Sequence, residues 1–458
     1  MPYLSPARCR VQWALQHWHA RSPRALGVAE HAGLESPFHA ASRPVIGRLC
    51  LAATLLALAP LAVAVEINAA LTFAPTWESR ASASPYEVGQ GTTHNGSRQD
   101  LELRLREGGF NAQTTLRWQA TEGNKPEQHG FANQAYYDGD LGPGLGFTVG
   151  KKVMSWGVGF GFRPLDVVQR ENRRGVNLPA LTGLPLLALE RFSADSAWTL
   201  AWVRPGAELG ARTGSDDSRD SSLAFHWYRL ADGDDLHAVA RLSHRRGFEA
   251  GLGATRVVGE EWSFHGAALY QRRYAKALNT LAENGGLLAT SDPMLATTQR
   301  NGLKAVAGAQ WTGSHWSVLA EAWYDADAYS RAEWQRLDAL TAHQRTLAAI
   351  APAQAIAGNI AWSSQAYLPT NLLRENLLLR LAHDNGDDFK PYAELLLTPA
   401  DGGRVLTLGA SHEGDRQRLT FGLRLTFGLR QLGGKPDSAY AQAPLRRAAW
   451  IEWRWALF

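Results

Sequence analysis

The sequence predicts an all-β protein, a transmembrane antiparallel up-and-down β-barrel of about 18 strands, within a range of 16–18. Three observations predict it. Residues 65–458 are dominated by segments of about ten residues that alternate apolar and polar, so each has one apolar face. The links between segments are short at one end and mostly long at the other. Tryptophan, 17 in 458 residues, gathers in or beside these segments: Trp118, Trp156, Trp198, Trp202, Trp227, Trp262, Trp311, Trp316, Trp323, Trp450, Trp453 and Trp455. Aromatics placed this way form girdles at a lipid interface. A secreted β-sandwich or propeller would also alternate, but a propeller needs a repeat of roughly 40–50 residues, and none is evident.

The chain divides at residue 64. The segment 48–64, RLCLAATLLALAPLAVA, has a basic start, a short apolar run and a small-residue end, the layout of a signal peptide cleaved before Val65. The apolar run is short for a membrane anchor. Residues 1–44 show no periodicity and read as an extended leader or as the product of a start codon assigned too early. Residues 1–64 hold six of the 47 basic and two of the 43 acidic residues, which leaves 41 of each in the body. That balance gives no reason to expect nucleic acid as a partner. Both cysteines, Cys9 and Cys50, also fall in the leader.

In the body, 65–458, the expected strands span 65–75, 98–107, 110–120, 131–139, 145–154, 186–192, 197–204, 221–230, 236–245, 248–257, 262–272, 301–311, 316–325, 373–383, 389–398, 404–412, 416–429 and 447–458. The clearest is 416–429, where Leu419, Phe421, Leu423, Leu425, Phe427 and Leu429 share one face. Links from even to odd strands are Gly- and Asp-rich turns such as ADGDD at 231–235 and NGDD at 385–388. Links from odd to even strands include 155–185, 205–220, 273–300 and 326–372. In an outer-membrane barrel the turns are periplasmic and the long loops external. Within 326–372, Ser330 and Glu333 fit a capping box, and Trp334, Leu337, Leu340, Leu347 and Ile350 follow near helical spacing up to Pro352, which predicts a helix of about twenty residues as a stiffener, lid or plug.

Charges on the polar strand faces are expected in the lumen, because Arg on the lipid face at the midplane costs about 2–4 kcal/mol. These are Arg104, Arg106, Arg117, Arg241, Arg374, Arg380, Arg418, Arg424 and Arg454, with Glu102, Glu321, Glu394 and Glu452 among them. They read as cross-strand pairs filling a polar interior or as a ladder that attracts anions through the guanidinium fork.

The link 155–185 is the densest stretch. Gly157, Gly159 and Gly161 permit tight backbone, and Pro164 stops strand pairing. Arg163, Arg170, Arg173 and Arg174, opposed by Asp166 and Glu171, would form a charged ring at a pore constriction if the loop folds inward. Gly150-Lys151-Lys152, Ser155-Trp156-Gly157 and Pro164-Leu165-Asp166 resemble the strand-and-loop motif of porin-like outer-membrane proteins of the alginate-export type. Lys152 stands where Gln is commoner. The resemblance covers about twenty residues and implies an outer-membrane channel with an Arg-lined lumen.

The chain ends in AAWIEWRWALF, similar to the terminal signal read by the barrel assembly machinery. Phe458 is one residue out of phase with the apolar face of Ile451, Trp453, Trp455 and Leu457. No HExxH, GxSxG or nucleotide-binding loop occurs, so no enzyme and no cofactor is expected. The expected function is a passive channel for small polar, anionic or sugar-like solutes. Alternatives are an exit channel for an anionic polysaccharide and a closed structural or adhesive barrel. Expected surroundings are outer-membrane lipid. The oligomeric state is not legible.

Overall fold

The computed structural model describes residues 65–88, 93–169, 174, 180–205, 220–414 and 422–456. The leader 1–64 therefore lies outside the described residues. The strands are β1 (Glu66–Arg80), β2 (Thr93–Glu107), β3 (Phe110–Thr121), β4 (Glu127–Gly142), β5 (Leu145–Lys152), β6 (Leu184–Phe192), β7 (Ser196–Val203), β8 (Ser222–Ala231) and β9 (Asp234–Ser243). The second half adds β10 (Gly247–Val258), β11 (Trp262–Asn279), β12 (Met294–Thr312), β13 (Trp316–Asp325), β14 (Glu375–His383), β15 (Phe389–Thr398), β16 (Gly403–Glu413), β17 (Gly422–Gly434) and β18 (Leu445–Ala456). Each pairs antiparallel with its sequence neighbours, and β1 pairs with β18 from Ala70↔Ala456 to Arg80↔Leu445, which closes an 18-stranded barrel. Closure leaves no sheet edge, so every strand has a partner on both sides without help from water.

The alternation sorts the wall into two faces. Leu103, Leu116, Leu223, Phe225, Leu252, Phe264, Leu303, Leu379, Leu408 and Leu429 are exposed on the outside. Asp100, Glu102, Glu249, Gln271, Lys304 and Glu321 are buried on the inside. An apolar outside and polar inside is the inverse of a soluble fold and suits a barrel whose solvent is lipid. Trp262 pairs with Trp311, and Trp198 with Trp227, beside the short turns. Trp453 stacks on Phe73 at the same end, with ring centroids 5.6 Å apart. Trp323 and Trp450 instead face inward and are buried. No described helix is long and apolar enough to cross a membrane.

Two expectations about the long links change. Residues 273–300 were expected to be loop, but β11 and β12 continue into them as a hairpin that outgrows its neighbours. The last rung to β10 is Glu249↔Gln271 and the last to β13 is Lys304↔Asp325. The alternation fails there for a local reason. The β11–β12 ladder skips the rung between Arg272 and Asn301, and Asn301 adopts φ 59°. Leu269 and Gln271 are buried below this irregularity, and Tyr274, Lys276 and Leu278 above it, so the inward face changes parity and period two is lost. The link 326–372 holds two helices, α2 (Arg331–Thr346) and α3 (Ala353–Ser364), after the short α1 (Thr280–Asn284) in the β11–β12 link. Pro352 ends the first run and caps the second.

These helices build a cap on the long-loop end. Tyr86 from the β1–β2 link, Trp334 of α2 and Tyr367 beyond α3 pack with ring centroids 5.1–6.1 Å apart. Tyr367 donates its hydroxyl to Ala439 O at 3.0 Å in a fourth element, α4 (Ala439–Gln442). The capping box at the head of α2 is complete, and Lys276 of β11 also donates to Glu333. Burial pushes the Glu333 carboxyl up, but the bonds from Lys276 and Ser330 outweigh it and hold its pKa below the ordinary value. A carboxylate with a depressed pKa stabilises above its unfolded value, about 4.3, and that contribution fades as pH falls through the folded one. Glu333→Gln is therefore expected to cost the cap about 1–2 kcal/mol at neutral pH and to flatten its acid sensitivity. Hydrogen exchange of 331–346 as a function of pH reads both effects.

Candidate pore constriction

The link between β5 and β6 leaves the wall and crosses the lumen. Its first turn is organised by one carboxylate. Asp166 Oδ1 accepts from Ser155 Oγ at 2.9 Å, Trp156 N at 2.8 Å and Gly157 N at 2.7 Å. Arg163 closes the same turn, donating to Ser155 Oγ at 2.8 Å and Gly159 O at 3.0 Å. The Ser-Trp-Gly and Pro-Leu-Asp motifs are thus two halves of one self-closing loop. Gly157 is required by this closure, since a Cβ there would sit 2.6 Å from Arg163 Cβ. At Gly159, φ is +107° and a Cβ would meet Phe162 O at 2.3 Å.

The wall holds this loop at several points. Trp156 stacks on His226 of β8 at 5.1 Å. Leu165 is fully buried against Gly251 and Gly253 of β10, where an added Cβ would fall within 2.7–2.8 Å of its methyls. On the far side, Glu321 of β13 accepts from Phe160 N and from Gly161 N at 2.6 Å, and pairs with His265 Nε2 of β11 at 2.6 Å. The Glu321 side chain has no exposure, so a buried carboxylate is balanced by donors from the loop and the wall together. Gly308 of β12 makes room for that pair: a Cβ there would come within 2.5 Å of His265 and 2.7 Å of Glu321. Phe162 stacks on Trp323 of β13 at 6.1 Å, and Arg380 of β14 lies 5.0 Å from the Phe160 ring centroid. From β5, the loop has reached strands halfway round the barrel, on the opposite wall.

The expected site residues part company here. Arg163 and Asp166 lie within the crossing loop, tied to each other's turn. Arg174 is anchored at the base of the cap, donating to Thr370 O at 2.6 Å and to Asn371 Oδ1, with its guanidinium 5.0 Å from the Trp323 ring. Its own carbonyl accepts from Arg430 Nη1 at 2.6 Å. Arg170, Glu171 and Arg173 lie outside the described residues, as does Arg418.

The strand charges form pairs. Arg117 grips Asp100 through two bonds of 2.7 and 3.0 Å. Arg454 grips Glu102 through two of 3.1 and 2.8 Å, and Arg104 stands 3.7 Å from the same carboxylate. Arg98 joins Asp100 at 3.0 Å to Glu452 at 3.3 Å. Arg241 pairs with Glu249 at 2.6 Å, and Arg380 with Glu394. Arg424 keeps a looser partner in Glu413 at 3.4 Å and stays exposed, and Arg106 is exposed. Arg374 stands just before β14, which begins at Glu375, and lies 3.8 Å from Glu333 of the cap. The interior is therefore largely a cross-strand ion-pair lattice rather than a row of unpaired guanidiniums.

Sequence reasoning gave Glu321 a place on the polar face but not its role as the loop's anchor. His265, Gly251, Gly253 and Arg430 carried no local signal, since their partners lie 56–256 residues away. The fold, the inverted polarity and the aromatic belts define a transmembrane β-barrel of the outer membrane. Its architecture is similar to two solved structures from Pseudomonas aeruginosa. OccK5 (OpdH) gives a TM-score of 0.50 at 8% identity, covering 86% of this chain and 99% of that one. OccK8 (OprE) gives 0.51 at 10% identity, covering 86% and 98%. No family model and no curated protein matches the chain.

Proposed function

We propose that this protein is a porin-like channel for passive passage of small polar solutes, with a bias toward anionic and sugar-like ones. The observation that carries this reading is the crossing loop: a barrel of 18 strands encloses an aqueous lumen, and residues 153–169 narrow it while fixed to the opposite wall at Glu321. The external cap narrows the mouth further, which favours small solutes. The reading places the long links outside the cell and the short turns in the periplasm, with 48–64 removed as a signal peptide and the last strand read by the barrel assembly machinery. It assigns the chain no catalytic role. The alginate-export-type motif favours a second reading, an exit channel for an anionic polysaccharide, which would require the cap to swing aside.

Planar-bilayer recording tests the proposal. Steady single-channel currents are expected, and a silent barrel would point instead to the structural reading. Selectivity tests the loop charges. Replacing Arg170 and Arg173 with Gln is expected to move the reversal potential toward cations at low salt. The shift should shrink at 1 M salt, where the Debye length is about 3 Å. An unchanged reversal potential at low salt would move the selectivity to wall charges such as Arg104, Arg106 and Arg424.

A further inference from the structure

We propose that Arg272, Arg273 and Arg300, with Asn301 and Tyr270, form a site on the outer wall for the phosphate of a membrane glycolipid in the leaflet that the long loops face. All five line one recess of about 390 Å³ where β11 and β12 rise clear of their neighbours. The ladder irregularity builds it. In unbroken alternation Arg272 and Arg273 would lie on opposite faces. Here Gln271 and Tyr274 are both buried, which turns the two residues between them away from the interior.

The level fits a headgroup. Along β11 the outward row runs from Trp262 to Tyr270, both exposed, and then reaches Arg272. The ten residues from Trp262 to Arg272 span roughly 34 Å of strand, about 26 Å of height at a tilt of about 40°, which matches the apolar band, about 25 Å tall. Trp262 and Tyr270 thus occupy the two aromatic belts, and the arginines sit just beyond the second. Outward-facing Arg is costly at the midplane and nearly neutral there.

The chemistry fits a phosphate. Among the described residues no carboxylate lies within ion-pair distance of Arg272, Arg273 or Arg300. Three like charges around one recess repel unless an anion joins them, and guanidinium forks match phosphate oxygens. The fork of Arg273 is steadied by a bond to His244 O at 3.0 Å and lies over Gly247, where a Cβ would come within 3.3 Å of it. Tyr270 donates its hydroxyl to Asn301 Oδ1 at 2.8 Å, which fixes the floor of the recess. The site is independent of the lumen but rests on the orientation proposed above, because phosphorylated glycolipids populate the outer leaflet.

Native mass spectrometry of the full chain in detergent, titrated with diphosphoryl lipid A, tests this. The wild type should retain one lipid that millimolar inorganic phosphate does not displace. The R272Q/R273Q/R300Q variant should bind it at least roughly tenfold more weakly, since the charge-assisted bonds are lost. Its heat-modifiable gel mobility and conductance should match the wild type, because these side chains face away from the pore. If the triple variant misfolds, R272Q and R300Q singly should each weaken retention. Equal retention by the folded variants would overturn the site. Displacement by inorganic phosphate would make it a free-anion site, and equal binding of phosphatidylglycerol would make it a general anionic-lipid contact; both results overturn the glycolipid assignment.

Discussion

Replacing Glu321 with Ala is expected to raise single-channel conductance and add open-channel noise while leaving the barrel folded. The carboxylate receives two backbone N–H groups of the crossing loop and His265 of the wall. Hydrogen bonds to a charged acceptor are worth about 1.5–3 kcal/mol each, and their donors would be left buried and unpaired. The loss is therefore several kcal/mol, concentrated at the far end of the loop. The near end keeps its own closure through Asp166 and its seat at Leu165, so the loop should swing rather than unfold. The strand ladders do not involve the Glu321 side chain, so heat-modifiable mobility should persist. Glu321→Gln should fall between wild type and Ala, since its carbonyl still accepts but its amide presents a donor to donors. Conductance and noise equal to the wild type in the Ala variant would show that this contact does not set the aperture.

Trp334→Ala is the second large effect, and it acts on the cap. Trp334 is 2% exposed and packs against Tyr86 of the β1–β2 link and against Tyr329 and Tyr367 of its own β13–β14 link. Truncating a buried Trp costs about 3–5 kcal/mol. The cap joins loops rather than strands, so the cost should appear as local opening rather than barrel unfolding. Residues 331–364 should lose hydrogen-exchange protection. The link between α2 and α3, where Ile350 is 83% exposed, should become cleavable by external protease in intact cells. Conductance should rise with it. Protection unchanged in 331–364 would mean that the other bonds, such as Arg336 to Glu283 at 2.8 Å, hold the cap without the aromatic cluster.

The wall was legible because its information is local. Each strand carries its own period-two pattern, and a closed barrel in lipid demands that pattern from every strand. The alternation of Leu101, Leu103 and Leu105 against Asp100, Glu102 and Arg104 fixed which residues face in before any partner was known. The capping box at Ser330 and Glu333 was legible for the same reason, since both halves lie within one turn. The second cap helix was missed: Ala353–Ser364 is uncharged, and its buried face mixes Ile356 and Ile360 with Asn359 and Ser363. The β11–β12 extension was missed because one irregularity at Arg272 and Asn301 changes the parity of the pattern.

The candidate site divides along the same line. The sequence by itself determined that residues 155–185 form a long, glycine-permissive link rich in charge, and that Arg and Glu alternate on the polar face of the wall. Tertiary structure alone decided which of those charges are neutralised. Arg454 meets Glu102 across 352 residues, and Glu321 meets the crossing loop across 160. Such contacts depend on barrel closure and on how far the loop reaches, and neither leaves a trace in local spacing. A charged residue reads the same in sequence whether it lines water or balances a buried partner. Only the position of the partner, set by the register of 18 strands, separates the two.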